Sequence, residues 1–136
     1  MHAIWENSYV LFCWKIVTFM VSNSLCEKVG KLGGVQAVFL VNDGSIIQWR
    51  AKKSAKMPSL NHMDNILVRR HMILALAGMQ EGFLGKLHYN LSRYDESDVL
   101  LLDTPAGKKS MLMIMVKKPY DIDELLREIR SALKET

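Results

Sequence analysis

The feature that most constrains the fold is a long predicted helix, over about residues 61–83, that is apolar on two opposite sides. At about 100° per residue, two apolar stripes lie roughly 160° apart around the helix axis. The first stripe consists of Val68, Met72, Ala75, Leu76, Met79 and Phe83. The second consists of Met63, Ile66, Leu67, Ile73, Leu74 and Ala77, and it also carries Arg70 and Glu81. A helix that lies on its own sheet needs only one such stripe, so the other requires a further cover.

The second stripe is the one that we assign to an interface, because an arginine and a glutamate suit an interface better than a core. An exposed apolar patch of this size usually marks an interaction surface, so we expect a partner subunit to cover it. The alternative is that another segment of the same chain, such as residues 9–21, packs there instead.

Five segments are predicted to be β-strands. Residues 35–41, 99–102 and 111–116 are apolar on both faces, which is typical of central strands. Residues 45–50 and 87–93 alternate between apolar and polar side chains, which indicates strands nearer an edge. Because three strands need cover on both faces, helices are expected on both sides of an antiparallel sheet.

Two further helices complete the predicted order. The first ends near Leu32 before two glycines, and Ser24 with Glu27 forms a capping box at its start. The last begins at an Asp121 cap and has one clean apolar face. The sequence therefore predicts an α/β (α+β) chain with a five-stranded antiparallel sheet, helices on both faces, and the order α-β-β-α-β-β-β-α.

Length and composition exclude several classes of protein. The chain has 136 residues, which suits a single domain with its own core. Two cysteines are too few for a disulfide framework or a zinc site built on paired cysteines. The net charge of +4 comes from short lysine pairs in predicted loops and turns, which indicates solvated lysines rather than a nucleic-acid surface.

Motifs for catalysis or cofactor binding are missing from the sequence. It contains no glycine-rich phosphate loop, no helical histidine pair for a metal and no hydrolase nucleophile motif. Cys26 is expected to be a small buried hydrophobe and His71 a solvent-facing side chain. Asp95, Glu96 and Asp98 are expected to form a solvated turn. We therefore expect no cofactor, no metal and no enzymatic activity.

Residues 1–22 form an apolar N-terminal extension ahead of a domain that is predicted to span 23–136. Its apolar run, residues 9–21, is too short for a membrane span and contains Lys15. Three interpretations stay open: an extra packed element, a misplaced start with translation beginning near Met20, or an interfacial membrane anchor. The anchor is the least favoured because its polar face is poor in charge. No secretory signal is recognised, and we expect a cytoplasmic protein.

From about residue 24 to 135, the sequence resembles the Roadblock / dynein light-chain superfamily. The resemblance lies in the stretch VGKLGGVQAVFLVNDGSIIQ, the long helix after a variable loop, the run of three strands that ends in SMLMIMVKK, and the closing helix DIDELLREIRSALKE. It implies a homodimer in which the long helices pack antiparallel and the third strands pair into one sheet. The implied dimer surface comprises Met63, Ile66, Arg70, Ile73 and Ala77 of the helix, and Leu87, Tyr89, Leu91 and Arg93 of the strand.

The same resemblance implies a non-enzymatic regulator or scaffold that binds a Ras-like small GTPase, or an adaptor of motor complexes. A different class of function also fits the order of elements. A helix-flanked sheet encloses a pocket in small-ligand sensors of the profilin-like or PAS-like type. An enzyme is the weakest alternative, because no acid–base or nucleophile constellation is present in the sequence.

Overall fold

The computed structural model describes residues 25–135, and the predicted cap Ser24 and the segment 9–21 lie outside that range. The described chain begins in a helix over residues 25–30, named α1. The other helices are α2 (Leu60–Gly78), α3 (Glu81–Leu84) and α4 (Ile122–Glu135). The strands are β1 (Val35–Asn42), β2 (Ser45–Ala51), β3 (Asn90–Arg93), β4 (Ser97–Thr104) and β5 (Gly107–Lys117).

The five strands form one antiparallel sheet in the order β2-β1-β5-β4-β3. The predicted fold class is confirmed, as are the central positions of β1, β4 and β5. The predicted edge character of the other two strands is also confirmed, since β2 and β3 end the order. In this order β1, β5 and β4 each have a neighbouring strand on both sides. Strand β3 has one edge without a neighbouring strand among residues 25–135.

Each face of the sheet has its own apolar core. On one face, α1 and α4 pack with Val38, Leu100 and Ile114. On the other face, α2 packs with Phe39, Leu101 and Met113. Neighbouring positions of β1, β4 and β5 thus serve opposite cores, as the alternation of side chains along a strand requires. This arrangement leaves α2 alone on its face within the described part of the chain.

The β1–β2 hairpin forms where the sequence Asn42-Asp43-Gly44 predicts a tight turn. Asp43 has φ of 52° and Gly44 has φ of 82°, both in the left-handed region. Aspartate and glycine tolerate this region better than other residues, which is why this dipeptide favours a two-residue hairpin loop. The turn sets the register that pairs Asn42 with Ser45.

Several element boundaries differ from the prediction. The long helix ends at Gly78, and a separate short helix, α3, follows after a turn at Met79 and Gln80. The edge strand β3 begins at Asn90, three residues later than the predicted Leu87, because residues 85–89 form a connecting loop. A helical apolar period continues through such a break, so periodicity alone does not reveal it.

Side chains cap both of the longer helices. Ser59 caps α2 by accepting a hydrogen bond from the His62 amide at 3.3 Å. Asp121 caps α4 as predicted, since its carboxylate accepts from the amides of Asp123 and Glu124 at 3.0 and 3.2 Å. Both caps satisfy amides that a helix start leaves without partners.

The buried thiol of Cys26 gives a testable consequence of this packing. Cys26 is fully buried between α1 and the sheet, and burial raises the pKa of its thiol to about 12. A Cys13→Ser variant leaves Cys26 as the only cysteine. We expect a thiol reagent at neutral pH to label this variant only in denaturant, because the thiolate is the reactive species. Labelling of the native protein at the unfolded rate would contradict the packing of α1.

Candidate interaction surfaces

The side chains of α2 fall into three sectors around its axis. The inner sector, Met63, Leu67 and Leu74, is buried against the sheet. The flank that faces β3 comprises Ile66, Arg70, Ile73 and Ala77. The outer stripe comprises Val68, Met72, Ala75 and Leu76 of α2, and it continues through Met79 of the following turn into Phe83 of α3. The inner sector and the β3-facing flank together make up the predicted second stripe except for Glu81, which lies in α3.

The structure corrects which of the two predicted stripes faces the sheet. Met63 is 1% exposed and packs on the sheet, so the prediction that it lies in an interface is wrong. The first stripe, which the prediction left to the sheet, is the exposed one, with Leu76 at 60% exposure. The two stripes have similar apolar character, so helical periodicity could not decide between them.

Arg70 links the β3-facing flank to the sheet edge. Its guanidinium donates one hydrogen bond to the Ser92 hydroxyl at 2.8 Å and another to the Tyr94 hydroxyl. It also lies over the Tyr94 ring, with its central carbon 5.6 Å from the ring centroid. Among residues 25–135 no carboxylate forms an ion pair with Arg70. Within the part of the chain that the structure describes, the partners of this half-buried charge are therefore two hydroxyl groups and the Tyr94 ring.

The other predicted flank residues have intermediate surroundings. Ile73 is 40% exposed, while Ile66 and Ala77 are half-buried. Nothing in the described range covers the exposed part of Ile73. The flank is thus a narrow, mostly apolar ledge that runs along α2 beside the edge of the sheet.

The predicted strand residues lie in and just before β3. Leu87 packs against the core under α2, whereas Tyr89 and Leu91 pack against the core on the opposite face. All three are half-buried, and Arg93 is exposed with its guanidinium 3.5 Å from the Asp98 carboxylate. Strand β3 pairs with β4 on one side only. Its other edge presents backbone amides and carbonyls that another strand could pair with.

Charged groups attach α3 to the β4–β5 hairpin. The Glu81 carboxylate accepts from the Leu87 amide at 2.7 Å and from the Lys108 ammonium at 3.0 Å. These two hydrogen bonds hold the pKa of Glu81 below its ordinary value. Lys108 also lies 3.2 Å from the Asp103 carboxylate. The network thus connects α3, which carries Phe83, to the hairpin.

His71 belongs to the same region, and its predicted solvent-facing role needs correction. Its side chain is half-buried, with Nε2 at 3.2 Å from the Lys108 carbonyl oxygen. The imidazole therefore connects α2 to the hairpin rather than only facing water. No local pattern indicates this contact, because the two residues are 37 positions apart in the sequence.

Asp98 is the polar group that the sequence analysis missed. Expected in a solvated turn, it is instead fully buried at the start of β4. Its carboxylate accepts from the Tyr120 hydroxyl at 2.5 Å and lies 3.3 Å from the Lys118 ammonium. Burial by itself would raise the pKa of Asp98, but these hydrogen bonds and charges outweigh it and hold the pKa below its ordinary value. Asp98 thus connects the sheet to the segment that leads into α4.

The described range offers little for metal or membrane chemistry. Among residues 25–135, no three histidine, cysteine or acidic side chains lie close enough together to hold a metal ion. Over the same residues, no helix is both long and apolar enough to cross a membrane.

Comparison with known proteins gives matches in structure but not in sequence. No family model and no curated protein matches the sequence. The Roadblock/LC7 domain from Streptomyces avermitilis matches with a TM-score of 0.64 at 14% identity, over 82% of this chain and 90% of that one. MglB from Myxococcus xanthus matches with a TM-score of 0.69 at 14% identity, over 86% and 92%.

A third structure, of MglB with a tetrameric arrangement, matches with a TM-score of 0.67 at 9% identity, over 87% of this chain and 86% of that one. The TM-scores show a common fold, but at sequence identities this low they leave the partners and the activity of this chain open. The five-stranded antiparallel sheet, the helices on both of its faces and these superpositions all indicate the same fold. The chain has the fold of the Roadblock/LC7 domains.

Proposed function

We propose that this protein is a non-enzymatic, homodimeric regulator or scaffold that binds a Ras-like small GTPase in the cytoplasm. The observation that carries the proposal is that α2 has two exposed sectors, the β3-facing flank and the outer stripe. The resemblance to Roadblock proteins supplies the expectation of dimers and of GTPase partners. The tetrameric arrangement of one MglB supports self-association on this fold.

The dimer interface in this proposal combines the β3-facing flank with the open edge of β3. In a two-fold dimer, each subunit presents the same patch, so two β3 edges pair and two α2 helices lie antiparallel. Such pairing would satisfy the exposed backbone groups of β3 and bury the exposed part of Ile73. Ile66, Arg70 and Ala77 would line the same seam, together with the strand residues Leu87 to Arg93.

The outer stripe remains exposed in that dimer and is the surface that we assign to the GTPase. Pairing along the flank places the two outer stripes side by side on one face of the joined sheet. Its largest exposed side chains are those of Met79 and Phe83, each 78% exposed. A contiguous apolar surface with methionine and aromatic side chains is typical of protein interfaces.

Capture of purified GTPases tests this assignment. Immobilised protein is incubated with a panel of Ras-like GTPases from the same organism, each loaded with GDP or a non-hydrolysable GTP analogue. We expect one GTPase to be captured in a nucleotide-dependent manner. Leu76→Asp should weaken capture by about a hundredfold, because it places a charge in the apolar stripe.

Arg127→Asp is the matched control, since it adds the same side chain on exposed α4, on the opposite face of the sheet. It should leave capture unchanged, and Leu76→Asp should leave the dimer intact. Equal capture of both nucleotide forms, or unchanged capture by Leu76→Asp, would contradict the proposed GTPase surface.

A further inference from the structure

A cavity of about 450 Å³ lies under the N-terminal half of α2, at the end of the sheet where β4 begins and β5 ends. Its volume lies within the range of pockets that hold small organic ligands. The loop between β2 and α2 closes one side through Pro58, and the turn between β3 and β4 closes another through Tyr94. The outer stripe takes no part in this cavity, whereas Ile66 and Arg70 line both the cavity and the proposed dimer seam.

The floor of the cavity is apolar and adaptable. Met63 and Val99 are buried there, and Met113 and Met115 of β5 extend it. Methionine side chains have flexible, polarizable ends that fit ligands of varied shape. A floor of this kind favours an acyl chain or a flat ring over a polar metabolite.

The wall carries a cation with unused hydrogen-bonding capacity. Arg70 lines the cavity, and its guanidinium has five N–H donors, of which the Ser92 and Tyr94 hydroxyls take two. A half-buried guanidinium usually pairs with an anion, yet Arg70 has no carboxylate partner among the described residues. The charged residues that line the cavity are Lys56, Arg70, Lys117, Asp95 and Glu96. Of these, the Lys56 ammonium and the Glu96 carboxylate form an ion pair at 3.5 Å.

We propose that this cavity binds a small amphipathic anion, with an apolar body on the methionine floor and a carboxylate or phosphate head on Arg70. The planar fork of the guanidinium suits both heads, because each can accept two parallel hydrogen bonds. The inference does not depend on the proposed GTPase surface, since the outer stripe lies on the side of α2 that faces away from the cavity.

Titration calorimetry on the full-length protein tests the proposal with four probes: decanoate, decyl phosphate, decanol and inorganic phosphate. We expect decanoate or decyl phosphate to bind with micromolar affinity, and the stronger of the two identifies the head group. Decanol and inorganic phosphate should each bind at least about tenfold more weakly, because each lacks one half of the recognition. Equal binding of decanol, or no binding by either anion, would overturn the proposal.

Two variants and a spectroscopic readout locate the binding. Arg70→Gln should weaken binding of the anion at least about tenfold, whereas Arg127→Gln on α4 should leave it unchanged. In methyl NMR spectra of the unaltered protein, the anion should shift Met63, Met113 and Met115. Shifts confined to Met72 and Met79 would place it on the outer stripe and overturn the proposal. This readout decides the matter even if Arg70→Gln fails to fold.

Discussion

Replacing Asp98 with alanine is expected to lower the free energy of unfolding by about 2–3 kcal/mol, the usual cost of breaking a buried charge-assisted network. The variant loses the acceptor for the Tyr120 hydroxyl and the counter-charge of Lys118. Arg93 also loses a partner, but it is exposed and water replaces that contact. Urea unfolding followed by circular dichroism measures the change.

Asp95→Ala is the matched control, because Asp95 lies three positions before Asp98, in the turn that precedes β4, and is exposed. Its free energy of unfolding should stay within about 0.5 kcal/mol of the unaltered protein. Tyr120→Phe, which removes one hydroxyl from the network, should fall between the two variants. If Asp98→Ala proved as stable as Asp95→Ala, the carboxylate would not hold β4 to the segment before α4.

The same carboxylate predicts a pH dependence of stability. The pKa of Asp98 is lowered in the folded state, so the folded protein binds fewer protons at this group than the unfolded chain does. Its contribution to stability is therefore complete above the unfolded pKa of about 4 and is lost as the pH falls through the folded pKa. The difference in free energy of unfolding between Asp98→Ala and the unaltered protein should accordingly shrink as the pH is lowered below about 4.

Replacing Ile73 with aspartate is expected to weaken the proposed dimer by about a hundredfold or more while the helical circular dichroism is retained. Ile73 is 40% exposed on the β3-facing flank, so the charge is hydrated in the separate chain and costs little there. In the dimer the same charge would lie in a dry seam, at a cost of about 3 kcal/mol or more. Sedimentation over a range of concentrations measures the shift in dissociation constant.

Leu76→Asp serves as the control for this variant, since it adds the same charge to the outer stripe of the same helix. It should leave the dissociation constant unchanged, whereas it weakens capture of the GTPase. A loss of helical signal in Ile73→Asp would mean that Ile73 is part of the chain's own core. An unchanged dissociation constant in a protein that does dimerise would place the interface elsewhere.

Local signals in the sequence predicted much of the fold. The Asp43-Gly44 turn, the Asp121 cap and the strands that are apolar on both faces all depend on neighbouring residues, and the structure confirms each. The presence of a helix that is apolar on two sides was also predicted. These features need no knowledge of how distant segments meet.

The orientation of α2 and the burial of Asp98 could not be obtained in this way. Either stripe of α2 could face the sheet, and contacts far along the chain accompany the choice: Arg70 to Ser92 on one side and His71 to Lys108 on the other. From its neighbours in the sequence, Asp98 is expected to be a turn carboxylate. In the structure it is buried beside Tyr120, which lies 22 positions away. Both errors have the same origin, because a local pattern does not reveal a long-range partner.

Light scattering at micromolar concentration gives the mass of the full-length protein in solution, and this mass shows whether two copies of the chain associate. A covered flank and a paired β3 edge require two copies of the chain, so we predict the mass of a dimer, which Ile73→Asp shifts toward that of one chain. A single-chain mass for the unaltered protein across the whole concentration range would contradict the account.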